Sequence, residues 1–296
     1  MSHGDVVVRR CATHPWMPVS PCGDHCLAPD AGEARVGVPR RAFRLTVVAA
    51  LMLVAVPTAV VYPLLGNRLG GRVSKLWFRS LLKAFGVRLV LRGDRRFAVS
   101  GQGALVVTNH CSWLDIVALG AVQPVRMLAK TDVRKWPLVG WFAAVAGTVF
   151  VDRERLSTLP VTVTELATVM RDGGVVGVFP EGTTWCGVES GRYRSAPFQA
   201  ARDADAVVRP VALRYLVAGR FSAAPAFVGD STLWDSVRRV SRMRGLTLEI
   251  EVLPELSARS GANRRDLAAL AETAVATATW RGSDRGDRPE QSPVAA

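Results

Sequence analysis

Short apolar runs alternate with helix-like stretches from Val87 onward, and this alternation constrains the fold more than any other feature of the chain. The runs are rich in β-branched residues and lack the polar alternation of a half-exposed strand. Such near-continuous apolar strands are typical of a sheet that helices cover on both faces. We predict strands over Val87–Leu91, Ala104–Thr108, Val125–Ala129, Thr148–Val151, Val175–Phe179, Val207–Arg214 and Leu246–Val252.

Helical periodicity fills the segments between these runs. We predict helices over Trp113–Ala121, Leu138–Ala146, Leu156–Arg171, Pro197–Asp203, Thr232–Met243 and Asn263–Thr279. Strands that are joined through helices pair in parallel. The fold class that follows is α/β, with one domain over residues 87–280 in which helices flank a mixed, largely parallel sheet.

An apolar segment precedes this domain. Leu45 to Leu65 contains 21 residues without a charged side chain, close to the roughly 20 that a helix needs to cross a bilayer. Pro57 and Pro63 interrupt the segment, and basic residues flank it on both sides. A spanning helix would put one basic flank outside the cytoplasm, against the positive-inside rule. We therefore favour a re-entrant or in-plane helix on an anionic membrane face.

The stretch after the apolar segment has the pattern of a basic amphipathic helix. Leu76, Trp77, Leu81, Leu82 and Phe85 interleave there with lysine and arginine. The pattern fits a helix on the membrane surface or a helix that packs on the domain core with solvated charges. We assign residues 41–86 to membrane-anchoring hydrophobic and amphipathic helices, and we predict disordered tails over residues 1–40 and 281–296.

Net charge and hydropathy limit the kinds of partner that the chain is expected to bind. The formal net charge is +13, and the mean hydropathy is positive. A basic surface suits nucleic acid, an anionic membrane or a phosphate-bearing substrate. No basic module with stacking aromatic residues is visible, so we predict no nucleic-acid partner. The apolar segment favours the membrane surface and phosphorylated lipids.

Cysteine usage indicates a reducing compartment, because the chain holds an odd number without a paired framework. Three of the five lie in the N-terminal tail and two stand singly in the body: Cys11, Cys22, Cys26, Cys111 and Cys186. The run Cys22-Gly23-Asp24-His25-Cys26, with His14 nearby, does not match a structural zinc spacing. We therefore predict no metal site.

His110 is the only histidine outside the first 25 residues, and Asp115 follows five positions later. On an unbroken helix the two side chains would point about 140° apart. For them to touch, His110 must lie in a strand–helix turn and Asp115 on the first helical turn, with Ser112 as the N-cap. An aspartate that holds one imidazole nitrogen leaves the other free to accept a proton. The alternative is that the two residues are unrelated capping groups.

Polar clusters follow two further strands. Pro180-Glu181-Gly182-Thr183-Thr184 follows one strand and Asp152-Arg153 follows the other, while Val208-Arg209-Pro210-Val211 marks a fourth strand. In parallel sheets, sites gather beyond the carboxyl ends of the strands. We therefore expect these clusters and His110 to form one rim.

Together these clusters resemble, in order, four sequence blocks of the membrane-associated glycerolipid acyltransferases, most closely the bacterial lysophosphatidic acid acyltransferases. The blocks are Asn109-His110 with Asp115, Gly147-Thr148-Val149-Phe150-Val151 with Arg153, Phe179-Pro180-Glu181-Gly182-Thr183, and Val208 with Pro210-Val211.

The resemblance implies acyl transfer from acyl-CoA or acyl-carrier protein to the free hydroxyl of a lysophospholipid, most simply 1-acyl-sn-glycerol-3-phosphate. His110 would be the general base and Asp115 its orienting partner. Arg153 would bind the acceptor phosphate, and Glu181, Gly182 and Thr183 would bind the acceptor. Neither a cofactor nor a metal is implied, and the domain would work on the cytoplasmic face of the cell membrane.

Three points stay open from the sequence. Lys130 either adds charge for a phosphate or for coenzyme A, or is a solvated lysine. Cys111, beside the base, suggests a thiol nucleophile, although adjacent residues rarely share the required orientation. The third block continues as Thr184-Trp185-Cys186-Gly187, where many relatives are more polar. This departure allows another acceptor, such as lyso-ornithine lipid or a glycolipid, or a non-catalytic lipid-binding protein.

Overall fold

A helical hairpin precedes the sheet in the computed structural model, which describes residues 17–27, 35–258 and 263–281. Helix α1 covers Val38–Val61, a 3-10 turn covers Tyr62–Leu64, and helix α2 covers Gly66–Phe85. Pro57 lies inside α1 without ending it. The stretch Val38–Leu64 is long and apolar enough to cross a membrane, by length and composition alone.

The two ends of this hairpin meet at Arg44 and Gly86. Gly86 follows α2 in the left-handed conformation, with a φ of 72°, and a Cβ at this position would lie 2.1 Å from the Arg44 guanidinium. That guanidinium donates hydrogen bonds to the carbonyl oxygens of Ser241 and Met243, at 3.1 and 2.8 Å. The start of α1 and the end of α2 therefore lie together against the domain.

Helix α2 packs its apolar face on the domain core. Leu81, Leu82 and Phe85 are buried in the core cluster, and the Arg79 guanidinium donates to the Ala121 carbonyl at 2.9 Å. Leu76, earlier in the same helix, is exposed. Of the two interpretations of this helix, core packing is therefore correct for its last turns.

The central sheet has eight strands. They are β1 Arg88–Gly93, β2 Ala104–Thr108, β3 Arg126–Lys130, β4 Val149–Val151, β5 Val175–Val178, β6 Val207–Val217, β7 Arg220–Phe221 and β8 Leu246–Val252. The spatial order is β1-β8-β6-β2-β5-β3-β4, and β7 pairs with β6. Only the pairs β6–β8 and β6–β7 are antiparallel, so the predicted mixed, largely parallel sheet is confirmed.

Helices cover both faces of the sheet, as predicted. They are α3 Leu114–Val122, α4 Val139–Val145, α5 Leu159–Arg171, α6 Ala196–Asp203, α7 Leu233–Arg242 and α8 Arg264–Arg281. Strand β2 divides the core, because Ala104 and Val106 pack with α2, α3 and α7, whereas Leu105 and Val107 pack with α5, α6 and α8. Burial on both sides explains why β2 has no polar alternation.

The segment 17–27 packs against the body, although the sequence places it in a disordered tail. Cys22 is buried with Cys186, Ala226 and Val228, and Asp24–Leu27 forms a 3-10 turn. A segment this short shows no periodicity that would reveal such packing. Residues 1–16, 28–34 and 282–296 lie outside the described residues, together with their share of the predicted tails.

Candidate active site

The carboxyl ends of four neighbouring parallel strands carry the predicted site residues. In the order β2, β5, β3, β4 these ends lead to His110, Glu181, Lys130 and Arg153. Parallel pairing puts all four ends at one edge of the sheet. This edge is the rim that the sequence predicts.

His110 and Asp115 are in direct contact. The His110 Nδ1 atom lies 2.8 Å from Asp115 Oδ2, and the same oxygen accepts the backbone amides of Cys111 and Ser112 at 2.7 and 2.8 Å. His110 lies in the turn after β2, and Asp115 is the second residue of α3. This is the arrangement that the five-residue spacing requires.

The predicted N-cap is wrong by one residue. Helix α3 begins at Leu114 with Trp113 in the N-cap position and without a side-chain cap. Ser112 therefore precedes the cap. The turn is held instead by the Asp115 carboxylate, which reaches back to the amide groups of the two residues after His110.

Tyr215 is a partner of Asp115 that the sequence does not reveal. Its hydroxyl donates to Asp115 Oδ1 at 2.5 Å, so the two carboxylate oxygens serve different partners. Both side chains are buried, and burial is the main reason that the pKa of Tyr215 lies well above its usual range. The phenol therefore stays protonated and donates. Only the strand order, which brings β6 beside β2, identifies this tyrosine.

The imidazole of His110 rests on Phe179. The two rings stack with centroids 3.7 Å apart and planes 11° apart, and 17% of the His110 side chain is exposed. With Nδ1–H donating to Asp115, Nε2 keeps its lone pair. The turn thus presents one fixed nitrogen as a proton acceptor.

Three hydrogen bonds from two loops hold the backbone of the histidine turn. The His110 amide donates to Glu181 Oε2 at 2.8 Å, and the His110 carbonyl accepts the Trp185 amide at 2.7 Å. The Cys111 carbonyl accepts the amide of Phe227 at 2.7 Å. The base is therefore positioned by its backbone as well as by its side chain.

Glu181 ties this turn to the loop after β5. Its Oε1 atom accepts the Gly191 amide at 3.1 Å, so both carboxyl oxygens accept backbone amides. Only 3% of the residue is exposed, and burial raises the pKa of its carboxyl to about 8. The Glu181 carboxyl is therefore mainly a neutral acid near pH 7.

Arg153 crosses the end of β3 to reach the loop after β5. Its Nη1 atom donates to the Gly182 carbonyl, in a turn where Gly182 has a φ of 81°. Burial, followed by the charge of Arg194, lowers the pKa of the Arg153 guanidinium. The guanidinium still carries its charge at neutral pH, so two neighbouring cations face this part of the rim.

Lys130 and Thr183 are less closely tied to the site. Lys130 is the exposed last residue of β3, and Thr183 is half-buried next to Gly182. Among the described residues, neither makes a hydrogen bond to His110, Glu181 or Arg153. Their predicted roles in substrate binding remain predictions.

A cleft opens beside His110 and Glu181. Its wall includes the loop after β5 and the last turns of α8, with Glu189, Glu272 and Trp280 among the lining residues. Apolar and acidic groups share this wall.

Cys111 is not placed to act as a nucleophile. The residue is buried, and its sulfur contacts the side-chain amide of Asn109 at 3.7 Å. Burial, with the nearby charge of Asp115, raises the pKa of the Cys111 thiol well above its usual range. A protonated thiol is a poor nucleophile, so the thiol interpretation is disfavoured.

Asn109 connects the end of β2 to β6. Its Nδ2 atom donates to the Leu213 carbonyl at 3.0 Å, and its Oδ1 atom accepts the Leu213 amide at 2.9 Å. Only a side chain with both a donor and an acceptor can make this pair. The residue before the histidine is therefore fixed to the neighbouring strand.

Comparisons with known proteins agree with this architecture. A family model described as "Acyltransferase" matches residues 88–214. A lyso-ornithine lipid O-acyltransferase of Pseudomonas aeruginosa is 33% identical over 209 residues, which cover 71% of this chain and 79% of the relative. A lyso-ornithine lipid O-acyltransferase of Brucella abortus is 30% identical over 253 residues, covering 81% and 94%.

Two further relatives are named for phosphate-bearing lipids. A 1-acyl-sn-glycerol-3-phosphate acyltransferase of Neisseria gonorrhoeae is 38% identical over 152 residues, which cover 51% of this chain and 59% of the relative. The crystal structure of a 1-acyl-sn-glycerophosphate acyltransferase of Thermotoga maritima matches with a TM-score of 0.56 and 18% identity, covering 84% of this chain and 100% of that chain. At this identity the structural likeness supports the fold alone.

Proposed function

Because the chain belongs to the acyltransferase family, we propose that it transfers an acyl group from a thioester donor to the free hydroxyl of a lyso-lipid. The donor is acyl-CoA or acyl-carrier protein. The acceptor proposed first is 1-acyl-sn-glycerol-3-phosphate, which would yield phosphatidic acid. The observation that carries the proposal is the contact of 2.8 Å between His110 Nδ1 and Asp115 Oδ2, beyond the end of β2.

The proposed step is direct transfer without an acyl-enzyme. His110 Nε2 accepts the proton of the acceptor hydroxyl as its oxygen attacks the thioester carbonyl carbon. The C–S bond then breaks, and the leaving thiolate takes up the proton. Asp115 stabilises the imidazolium that forms between the two events. The thioester supplies the acyl group, so the reaction as proposed uses no metal or cofactor.

Arg153 supports a phosphate-bearing acceptor. Its guanidinium is held against Gly182, and Arg194 adds a second positive charge nearby. A planar guanidinium binds a phosphate through two parallel hydrogen bonds. The name of the Neisseria relative fits the same acceptor.

A lyso-ornithine lipid is the second candidate acceptor. Its headgroup carries an ammonium group, and the cleft beside His110 contains the carboxylates of Glu189 and Glu272, which would bind a cation. Its carboxylate would suit Arg153 as well as a phosphate would. The names of the Pseudomonas and Brucella relatives fit this acceptor.

The hairpin of α1 and α2 supports attachment to the membrane from one side. Large apolar residues of the hairpin are strongly exposed, with Leu53 at 74%, Val60 at 66% and Leu64 at 82%. The contact between Arg44 and Gly86 keeps both ends of the hairpin against the domain. An in-plane or re-entrant hairpin therefore avoids the charge conflict of a spanning helix. We place the domain on the cytoplasmic face of the cell membrane.

A panel assay tests the function. The purified protein is given labelled acyl-CoA and, separately, 1-acyl-sn-glycerol-3-phosphate, lyso-ornithine lipid and a monoacyl glycolipid. We expect diacyl product from the first and loss of at least about 10³-fold in rate for His110→Ala. His25→Ala, at an exposed histidine outside the site, is the matched control and should keep full activity.

Each outcome of this assay has a meaning. Product from lyso-ornithine lipid alone would show that this lipid, and not 1-acyl-sn-glycerol-3-phosphate, is the acceptor. Near-normal transfer by a folded His110→Ala protein would show that His110 is not the general base. Binding of lyso-lipid without transfer from either thioester donor would favour a non-catalytic lipid-binding protein.

A further inference from the structure

Three cysteines from two distant parts of the chain meet outside the active site. The sulfur atoms of Cys22, Cys26 and Cys186 all lie within 4.8 Å of one another. Cys22 and Cys186 are buried, and Cys26 is half-buried. All three are free thiols. None has a part in the acyl-transfer step, so their convergence needs another explanation.

Local structure brings each thiol to the cluster. Cys22 precedes the 3-10 turn and Cys26 lies within it, where the Cys26 amide donates to the Gly23 carbonyl at 2.9 Å. Cys186 is in the loop after β5, five residues beyond Glu181, and is followed by Gly187 with a φ of 89°. The 3-10 turn and the left-handed glycine therefore direct side chains from separate segments to one point.

A backbone amide donates to one sulfur of this cluster. The Cys186 amide donates to Cys22 Sγ at 3.3 Å, whereas burial raises the pKa of the Cys186 thiol to about 12, so this thiol is neutral in the metal-free protein. A neutral thiol is a weak acceptor, whereas a metal-bound thiolate carries charge that such donors stabilise and orient. A bound metal ion would supply the positive charge that a buried thiolate needs.

From this geometry we propose that Cys22, Cys26 and Cys186 bind one zinc ion. Thiolates select zinc and other soft metals over magnesium and calcium. Three sulfurs supply three positions of a tetrahedral site, and solvent fills the fourth. The ion enters from the side of Cys26, which is the least buried of the three residues.

Such a site would fasten the N-terminal segment across the acceptor side of the active site. Pro18 lies so close to Gly182 that a Cβ on the glycine would be 2.7 Å from Pro18 Cγ. The metal would join Cys22, four residues after Pro18, to Cys186, four residues after Gly182. The inferred role of the ion is therefore structural, and it acts on the loop that carries Glu181.

The metal content of the reduced full-length protein tests the proposal. The protein is purified in detergent, stripped with a chelator under reducing conditions, and titrated with Zn²⁺ or Co²⁺. We expect about one ion per chain and the near-ultraviolet charge-transfer band of a Co²⁺–thiolate site. At free zinc about 100-fold above Kd, the Tm should rise by roughly 5–10 °C over the stripped protein.

Single variants decide whether these thiols are the ligands. Cys22→Ser and Cys186→Ser should each lose the cobalt–thiolate band and at least about tenfold in zinc affinity. Cys111→Ser, at a buried thiol outside the cluster, is the matched control and should bind normally. Binding that survives in Cys22→Ser and Cys186→Ser would overturn the proposal. So would a Cys22–Cys186 disulfide in protein purified without added oxidant, or failure of the stripped, reduced protein to bind zinc.

Discussion

The Tyr215 hydroxyl binds the one oxygen of Asp115 that His110 does not use, at 2.5 Å. The carboxylate is thus held from β6 on one side while it holds the imidazole on the other. A hydrogen bond to a charged group contributes about 1.5–3 kcal/mol. The tyrosine is therefore a positioning residue for the base rather than a catalytic residue.

Tyr215→Phe should lower kcat by about tenfold and leave the acceptor KM nearly unchanged, because one hydrogen bond to the orienting carboxylate is lost while the ring volume is kept. Steady-state kinetics with the acceptor varied provide the measurement. Tyr62→Phe, in the hairpin turn, is the control. A rise in KM with normal kcat would mean that Tyr215 acts on substrate binding instead.

Arg153→Ala should raise the acceptor KM by about 10–100-fold, because a charge-assisted contact to the headgroup is lost. The control is Arg155→Ala. Arg155 lies in the same loop, its side chain is 78% exposed, and its contact with the Asp152 carboxylate is long, at 4.0 Å. Kinetics with each substrate varied in turn provide the measurement. If only the donor KM rises, the headgroup is bound elsewhere.

Glu181 should make the protein less stable as pH rises. Burial raises the pKa of its carboxyl from the model-peptide value of 4.5 to about 8, so the folded state binds more protons than the unfolded state between these values. The free energy of unfolding should fall through this window by up to about 1.4 kcal/mol per pH unit.

Glu181→Gln removes the titrating group and should flatten this pH dependence, at the cost of one hydrogen bond, because the amide nitrogen cannot accept a backbone N–H. Urea unfolding in detergent at several pH values is the measurement. Glu189→Gln, at an exposed position in the same loop, should keep the wild-type slope. Equal slopes for wild type and Glu181→Gln would show that another group titrates.

Leu64→Glu should weaken binding to anionic phosphatidylglycerol vesicles by at least about tenfold, since it puts a charge on the most exposed apolar residue of the hairpin turn and removes an apolar contact with the lipid. Vesicle cosedimentation measures the effect. Val161→Glu, at a 70% exposed position of α5, should bind normally. Equal binding by both variants would show that the hairpin turn does not contact the membrane.

Local patterns were sufficient to predict seven of the eight strands and the turn that a contact between His110 and Asp115 requires, whereas the contact itself was implied by the family resemblance. The apolar run Ala104–Thr108 is β2 at both bounds, and the five-residue spacing requires the turn that the structure contains. Both features depend on residues near one another in the chain. Hydrophobic periodicity and helical geometry describe such short-range relations well.

Long-range contacts were not predictable in the same way. Tyr215 reaches Asp115 across 100 residues, and Cys186 reaches Cys22 across 164. Each pairing depends on strand order and loop packing, which periodicity does not encode. The two-residue strand β7 was missed because Arg220–Phe221 is too short to show any pattern. The segment 17–27 was missed for the same reason.

The side-chain amide of Asn109 takes the place of a backbone peptide group. It donates to the Leu213 carbonyl and accepts from the Leu213 amide, as a residue of a neighbouring strand would. The main chain can then leave the sheet one residue before the base without leaving the edge of β6 unsatisfied. Leu213 is synthesised about a hundred residues later than this asparagine. The geometry of the base therefore depends on the pairing of β2 with β6, two strands that are far apart in the chain.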